Sequence, residues 1–181
     1  MDANKAEQAL LEADCLFTNT DVQTALDKMA QGITAKLKDR NPLVLCVMTG
    51  GIIPAGHLLT RLNFPLQIDY IHATRYRGET AGSHIQWLVR PTHALRGRDI
   101  LIVDDIYDEG ITLSEIVEFC FAEGAAEVYT AVLINKLHDH KHPLNVDFIG
   151  LETPDRYLFG YGMDYKDYLR NVPGIYAVKG M

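Results

Sequence analysis

The chain has 181 residues, 48% apolar and 23% charged, which suits a folded domain with a full core and excludes a disordered or fibrous protein. A formal net charge of −7 speaks against broad nucleic-acid binding. It leaves an anionic substrate open, because screening over about 8 Å lets a few local groups outweigh a distant surface.

Residues 5–16 place Ala6, Ala9, Leu10, Ala13 and Leu16 at helical spacing. Thr18, Asn19, Thr20 and Asp21 offer caps for a second helix over 22–38, ended by Asn41-Pro42. Residues 43–48, all apolar, read as a buried strand, and Thr49-Gly50-Gly51 as the turn after it. A helix over 54–62 follows, with Pro54 in its first turn. Residues 66–72 read as a strand, 74–83 as a polar loop bearing Arg75 and Arg77, and 85–89 as a short strand. Ile100-Leu101-Ile102-Val103 is a strand apolar on both faces, as in a parallel sheet. It runs into Asp104, Asp105 and Asp108. A helix over 113–121 follows, with Thr112 and Glu115 spaced for a capping box and Gly124 closing it. Strands over 127–134 and 146–151 flank a 138–143 loop, and the tail from 154 has no clean period.

Strands alternating with helices predict a parallel sheet flanked by helices in one domain, its core about 40–150. The chain ends, about 1–20 and 154–181, are expected to form a small hood. No apolar run nears the ~20 residues of a membrane span, and the N-terminus lacks a signal-peptide pattern. Cys15, Cys46 and Cys120, widely spaced in apolar surroundings, predict reduced, mostly buried thiols in the cytoplasm. They read as packing residues rather than nucleophiles.

Three strand ends carry polar equipment. Asp104, Asp105 and Asp108 would repel one another unless sugar hydroxyls or a magnesium ion sat among them. The residues that follow, Glu109, Gly110, Ile111 and Thr112, offer successive backbone N–H groups to a phosphate at a helix start. Together they predict a ribose 5-phosphate site, against the bland alternative of an acidic turn capping a helix. Thr49-Gly50-Gly51 lets backbone approach an anion, although neither GxGxxG nor a P-loop is present. Third, Lys136 at a strand end can donate to a carbonyl, and Tyr157 can stack on a planar base. The alternating His138, His140 and His142 precede Pro143 and read as solvated rather than metal-bound.

Val103-Asp104-Asp105-Ile106-Tyr107-Asp108-Glu109-Gly110-Ile111-Thr112 resembles the phosphoribosyl-pyrophosphate signature of type I phosphoribosyltransferases. Val47-Met48-Thr49-Gly50-Gly51 looks like the pyrophosphate loop of that family, and Arg75-Tyr76 falls where its catalytic loop has a tyrosine. Lys136, Pro154-Asp155 through Gly160-Tyr161, and Asp164 to Arg170 resemble the base and magnesium segments of hypoxanthine-guanine phosphoribosyltransferases. The likeness runs from about 43 to 178.

The resemblance implies transfer of a 5-phosphoribosyl group from phosphoribosyl pyrophosphate to hypoxanthine or guanine, with magnesium as cofactor. It implies that Asp104 and Asp105 hold ribose hydroxyls, that Asp108 faces N7 of the base, and that Lys136 donates to the 6-oxo group. Tyr157 would stack on the purine and the Leu158 backbone would meet its edge. Thr49, Gly50, Gly51 and Arg170 would hold pyrophosphate, and Asp164 would ligate magnesium. A cis peptide is implied at Met48-Thr49, closure of the 74–83 loop carrying Tyr76 over the site, and a homodimer or homotetramer. Three residues depart from the pattern: Thr49 in place of lysine, Arg75 in place of serine, and Glu109 in place of a serine or threonine donating to the 5-phosphate. The competing readings are a nucleotide- or RNA-binding regulator on the same fold, which the negative charge and retained Asp108, Lys136 and Asp164 oppose, and a xanthine-preferring enzyme. Lys136 opposes adenine.

Overall fold

The computed structural model describes residues 2–75 and 85–180. Helix α1 (Ala3–Glu12) is capped by the Asp2 carboxylate, which accepts the Lys5 N–H at 3.0 Å. It stops short of the expected end: Leu16 lies in strand β1 (Asp14–Thr18). The helical spacing there loses to a long-range pairing, because β1 runs antiparallel to β9 (Gly174–Ala177). Thr18 and Asp21 then make the capping box of α2 (Asn19–Leu37). Its buried stripe of Val22, Ala25, Leu26, Met29, Ile33 and Leu37 matches the periodicity.

Strand β2 (Leu43–Met48) leads to α3 (Ile52–Leu59), which begins two residues earlier than expected and ends three residues sooner. Strand β3 (Gln67–Arg75) takes in Thr74 and Arg75, both expected in the loop. The rest of that loop, Tyr76 included, lies outside the described residues. Strands β4 (Ile85–Val89) and β5 (Asp99–Tyr107), helix α4 (Ile111–Ala122), and strands β6 (Glu127–Leu137) and β7 (Phe148–Pro154) follow. β6 runs three residues past its expected end, which carries Asn135 and Lys136 into the strand.

The main sheet has the order β4-β3-β2-β5-β6-β7, with β4 antiparallel at one edge and the other five strands parallel. Its central strands β2 and β5 alternate between two cores. Val44, Leu101 and Val103 face a core closed by α2 and α3, while Leu43, Leu45, Ile100 and Ile102 face the α4 side. Ile100 and Leu101 are both fully buried, each contributing roughly 1.5–3 kcal/mol of hydrophobic stabilisation. Chain order reverses between β2 and β5, so their C-terminal ends open a crevice at a topological switch point.

The second sheet, β1-β9-β8 with β8 (Leu158–Phe159), is the hood built from the chain ends. Phe159 stacks on Tyr176 at 5.6 Å between centroids. Arg156 Nη2 reaches Asp14 Oδ2 at 2.7 Å and the Val178 carbonyl at 3.0 Å, binding the two termini together. No helix among the described residues is long and apolar enough to cross a membrane.

Candidate active site

The turn after β2 is packed too closely for side chains. The Met48–Thr49 peptide is cis. A Cβ on Gly51 would lie 2.6 Å from the Val47 carbonyl and 2.7 Å from that of Val103, and one on Gly50 would overlap Asp105 Oδ2. Gly162, at φ +109°, sits so close to the Gly50 carbonyl that a Cβ would overlap it. Thr49, at the tip, is exposed.

Asp104 and Asp105 follow the apolar run of β5, and the Asp105 N–H donates to Asp104 Oδ1 at 2.9 Å. Burial and the charge of Asp105 push Asp104 well above the carboxylate range. Asp105 also rises, burial outweighing the hydrogen bonds and the Arg170 charge that favour its anion.

Helix α4 begins differently from the expected capping box. Its N-cap is Gly110, at φ +79°, with no side-chain cap bond, and Thr112 lies inside the first turn. A Cβ at Gly110 would overlap the Tyr107 ring, so the chain turns there through a left-handed glycine. Ile111 and Thr112 lie in the helix's first turn, and Glu109, just before the cap, is exposed.

Lys136 is 8% exposed and bridges two acids, with Nζ 3.1 Å from both Asp108 Oδ2 and Asp155 Oδ1. The other Asp108 oxygen lies 2.9 Å from His138 Nε2. The expected solvated histidine is therefore wrong for His138, whose side chain is only 9% exposed, whereas His140 and His142 are exposed. Asp155 also went unassigned in the sequence. A signal for His138 was present: residues two apart on an extended strand share a face, and Lys136 and His138 are so spaced.

Two adjoining cavities meet at these residues. One, of about 260 Å³, is lined by Asp105, Ile106, Asp108, Lys136, Tyr157 and Leu158 with Met163 and Asp164. The other, of about 300 Å³, takes in Gly50, Asp104, Glu109, Gly110, Thr112 and Arg170. Asp105, Ile106, Asp108 and Asp164 line both. Tyr157 is 41% exposed, its ring edge-on to Tyr165 at 5.6 Å, while Leu158 is buried. Among the described residues, every one expected at the site except Thr49, Gly51 and Ile111 lines one of these cavities. Thr49, Gly51 and Ile111 adjoin them in the chain. Cys46 and Cys120 are buried thiols pushed up to about 11 and about 12, burial being the main cause, which fits packing residues; Cys15 is exposed.

Residues 13–167 match the family described as phosphoribosyl transferase domain, and the chain belongs to the phosphoribosyltransferase family. Hypoxanthine-guanine phosphoribosyltransferase from Bacillus subtilis is 30% identical over 91% of this chain and 92% of its own length. The hypoxanthine-guanine-xanthine enzyme from Tritrichomonas foetus is 28% identical over 91% and 90%. In three dimensions the chain superimposes on the Staphylococcus aureus hypoxanthine phosphoribosyltransferase with a TM-score of 0.89, covering 98% and 97% of the two chains at 23% identity. A variant of the Trypanosoma cruzi enzyme, complexed with the product IMP, gives a TM-score of 0.86 at 26% identity over 93% of each chain. These relatives place the chain in the hypoxanthine-guanine group of phosphoribosyltransferases.

Proposed function

We propose that the protein transfers the 5-phosphoribosyl group of phosphoribosyl pyrophosphate to hypoxanthine or guanine, forming IMP or GMP and pyrophosphate. The carrying observation is Asp108, shared by two adjoining cavities, one edged by Lys136, Tyr157 and Leu158 and the other by the Asp104–Asp105 pair and the start of α4. In this reading Asp104 and Asp105 bind the ribose hydroxyls. The backbone of Glu109, Gly110 and Ile111 with the Thr112 hydroxyl binds the 5-phosphate. Thr49, Gly50, Gly51 and Arg170 hold pyrophosphate. Lys136 donates to the 6-oxo group, Tyr157 stacks on the ring, and the Leu158 backbone meets its edge. The purine N9 lone pair attacks C1 of the ribose while the C1–oxygen bond breaks and its electrons leave with pyrophosphate. Asp108 takes the proton released at N7.

The oxygen donors of Asp164, with Asp104 and Asp105 nearby in one cavity, suit a hard divalent cation. Asp164 would hold magnesium, which supplies neutralisation of pyrophosphate charge when bound. Reduced thiols fit a cytoplasmic site of action, and exposed Ile52, Ile68 and Tyr70 around one apolar groove support a homodimer or homotetramer.

The test is direct. The protein is incubated with magnesium, phosphoribosyl pyrophosphate and each of hypoxanthine, guanine, xanthine and adenine, and monophosphate is followed. Product with hypoxanthine or guanine and none with adenine is expected. Product from xanthine alone would move the specificity, and no product with any base would leave a nucleotide-binding regulator.

A further inference from the structure

Asp108 is gripped on both oxygens, by two partners of different character. Lys136 Nζ holds Oδ2 at 3.1 Å and His138 Nε2 holds Oδ1 at 2.9 Å. Each oxygen keeps a free lone pair and the side chain is 44% exposed, so a purine N7–H can approach, and it approaches most openly on the oxygen whose partner gives way.

The two partners are not equally free to move. Lys136 ends in a flexible four-carbon stem, and its charge has a second destination on the same base, the 6-oxo oxygen. The His138 ring is enclosed, and its far nitrogen is engaged: the His140 backbone N–H donates to Nδ1 at 3.2 Å. A neutral imidazole accepting at Nδ1 carries its hydrogen on Nε2, so His138 donates to Asp108.

The loop carrying His138 is itself tied to the end of β5. The His142 N–H donates to the Glu109 carbonyl at 2.8 Å, and the Tyr107 hydroxyl donates to the His142 carbonyl at 2.7 Å. Lys141 bonds Asn135 Oδ1 and lies 4.1 Å over the Tyr107 ring.

We propose that His138 is a positioning residue for Asp108: its Nε2–H pins Oδ1, so that Oδ2 is the oxygen vacated by Lys136 and turned to N7. The inference rests on the function proposed above and assigns a residue outside every motif that led to it. His138, Asp108 and Asp155 present ligand atoms within 4.8 Å of one another, as a metal site would. Lys136 Nζ already lies in contact with both carboxylates and supplies their positive charge, which favours the proton-donor role over a metal-ligand one.

The experiment compares the full chain with His138→Leu and His138→Gln, the glutamine keeping an N–H donor at similar reach. With hypoxanthine, His138→Leu should lower kcat about 10- to 100-fold, the size of one hydrogen bond to a charged group. The KM for phosphoribosyl pyrophosphate should stay within about twofold, since the sugar-phosphate cavity is untouched, and His138→Gln should recover most of kcat. Equal turnover in wild type and His138→Leu, failure of glutamine to rescue, or a parallel rise in the sugar-substrate KM overturns the proposal. Nitrogen-15 spectra of histidine-labelled wild-type protein give a second readout, expected to show His138 as the Nε2–H tautomer, its signal shifting in Asp108→Asn. An Nδ1–H tautomer also overturns it. Absence of product from wild type with every base sinks the proposed function instead, and the tautomer still judges the His138–Asp108 pair.

Discussion

Arg170 Nη2 lies 2.6 Å from Asp164 Oδ1, so the cation assigned to pyrophosphate and the acid assigned to magnesium neutralise each other. The Asp167 N–H donates to the second Asp164 oxygen at 2.9 Å, and Arg170 Nη1 donates to the Gly162 carbonyl at 2.7 Å. Binding of a magnesium pyrophosphate group would exchange this internal pair for two external ones. Asp164→Asn should raise the magnesium concentration giving half-maximal rate by about tenfold, equal to about 1.4 kcal/mol. An unchanged magnesium titration removes Asp164 from that role.

Lys136→Ala tests the base half of the site. It deletes the proposed 6-oxo donor and leaves Asp108 and Asp155 without the ammonium between them. The loss in kcat/KM should be about 100-fold or more for hypoxanthine, because a site built to bond a polar group is left unpaired. The KM for phosphoribosyl pyrophosphate should change little. Equal losses for both substrates refute the contact with the base.

Glu109→Ser restores the hydroxyl that the family resemblance leads one to expect before α4. The bond that the Glu109 main chain makes to His142 is kept, since it uses the carbonyl. The KM for phosphoribosyl pyrophosphate should fall by about two- to fivefold, the effect of one modest hydrogen bond. Collapse of activity would mean that the carboxylate has a positive role.

Gly50→Ala probes the closeness of the β2 turn to β5. The added methyl overlaps Asp105 Oδ2, and its neighbour Gly51 leaves no slack. Destabilisation of about 1–3 kcal/mol is expected, with loss of most activity as Asp105 is displaced. Thermal unfolding and initial rates, measured together, check both, and wild-type stability would show that the turn can yield.

Asp69 supplies a pH-dependent element of stability away from the site. Burial alone would raise its carboxyl. Hydrogen bonds from His93, Tyr70 and Thr92 outweigh burial and hold it well below the usual range. A depressed folded value means that the contribution is complete above the unfolded value of about 3.9 and is lost as pH falls through the folded one. Asp69→Asn should cost roughly 1.5–3 kcal/mol at neutral pH, and the gap to wild type should narrow below about pH 4. Denaturant unfolding from about pH 2 to about pH 7 measures it, from about two units below the unfolded value to about three above.

Where local pattern and burial agree, the sequence was readable. Residues 43–48 and 100–103 are apolar on both faces because helices cover both faces of the sheet, and both were read as strands. Leu16 was misplaced because β1 is decided by its pairing with β9 at the far end of the chain. The start of α4 was misread because Thr112 and Glu115 satisfy the capping pattern, whereas the Tyr107 ring forces the turn at Gly110. The resemblance singles out Asp108 and Lys136, and the fold brings their side chains together at 3.1 Å. For His138 the spacing from Lys136 is only a partial signal, because its contact with Asp108 also depends on a loop folding back onto residues 107–109.

Strand β9 lies between β1 and β8, and the β8 strand carries Leu158 beside Tyr157. Different parts of the crevice lining are therefore available at different times as the chain is synthesised. The acid pair and the start of α4 need only the strands up to β6. The Tyr157–Leu158 edge waits for residues 174–177 to close on both β1 and β8. A nascent chain would acquire its acid pair and the start of α4 first, and the Tyr157–Leu158 edge, Asp164 and Arg170 only later.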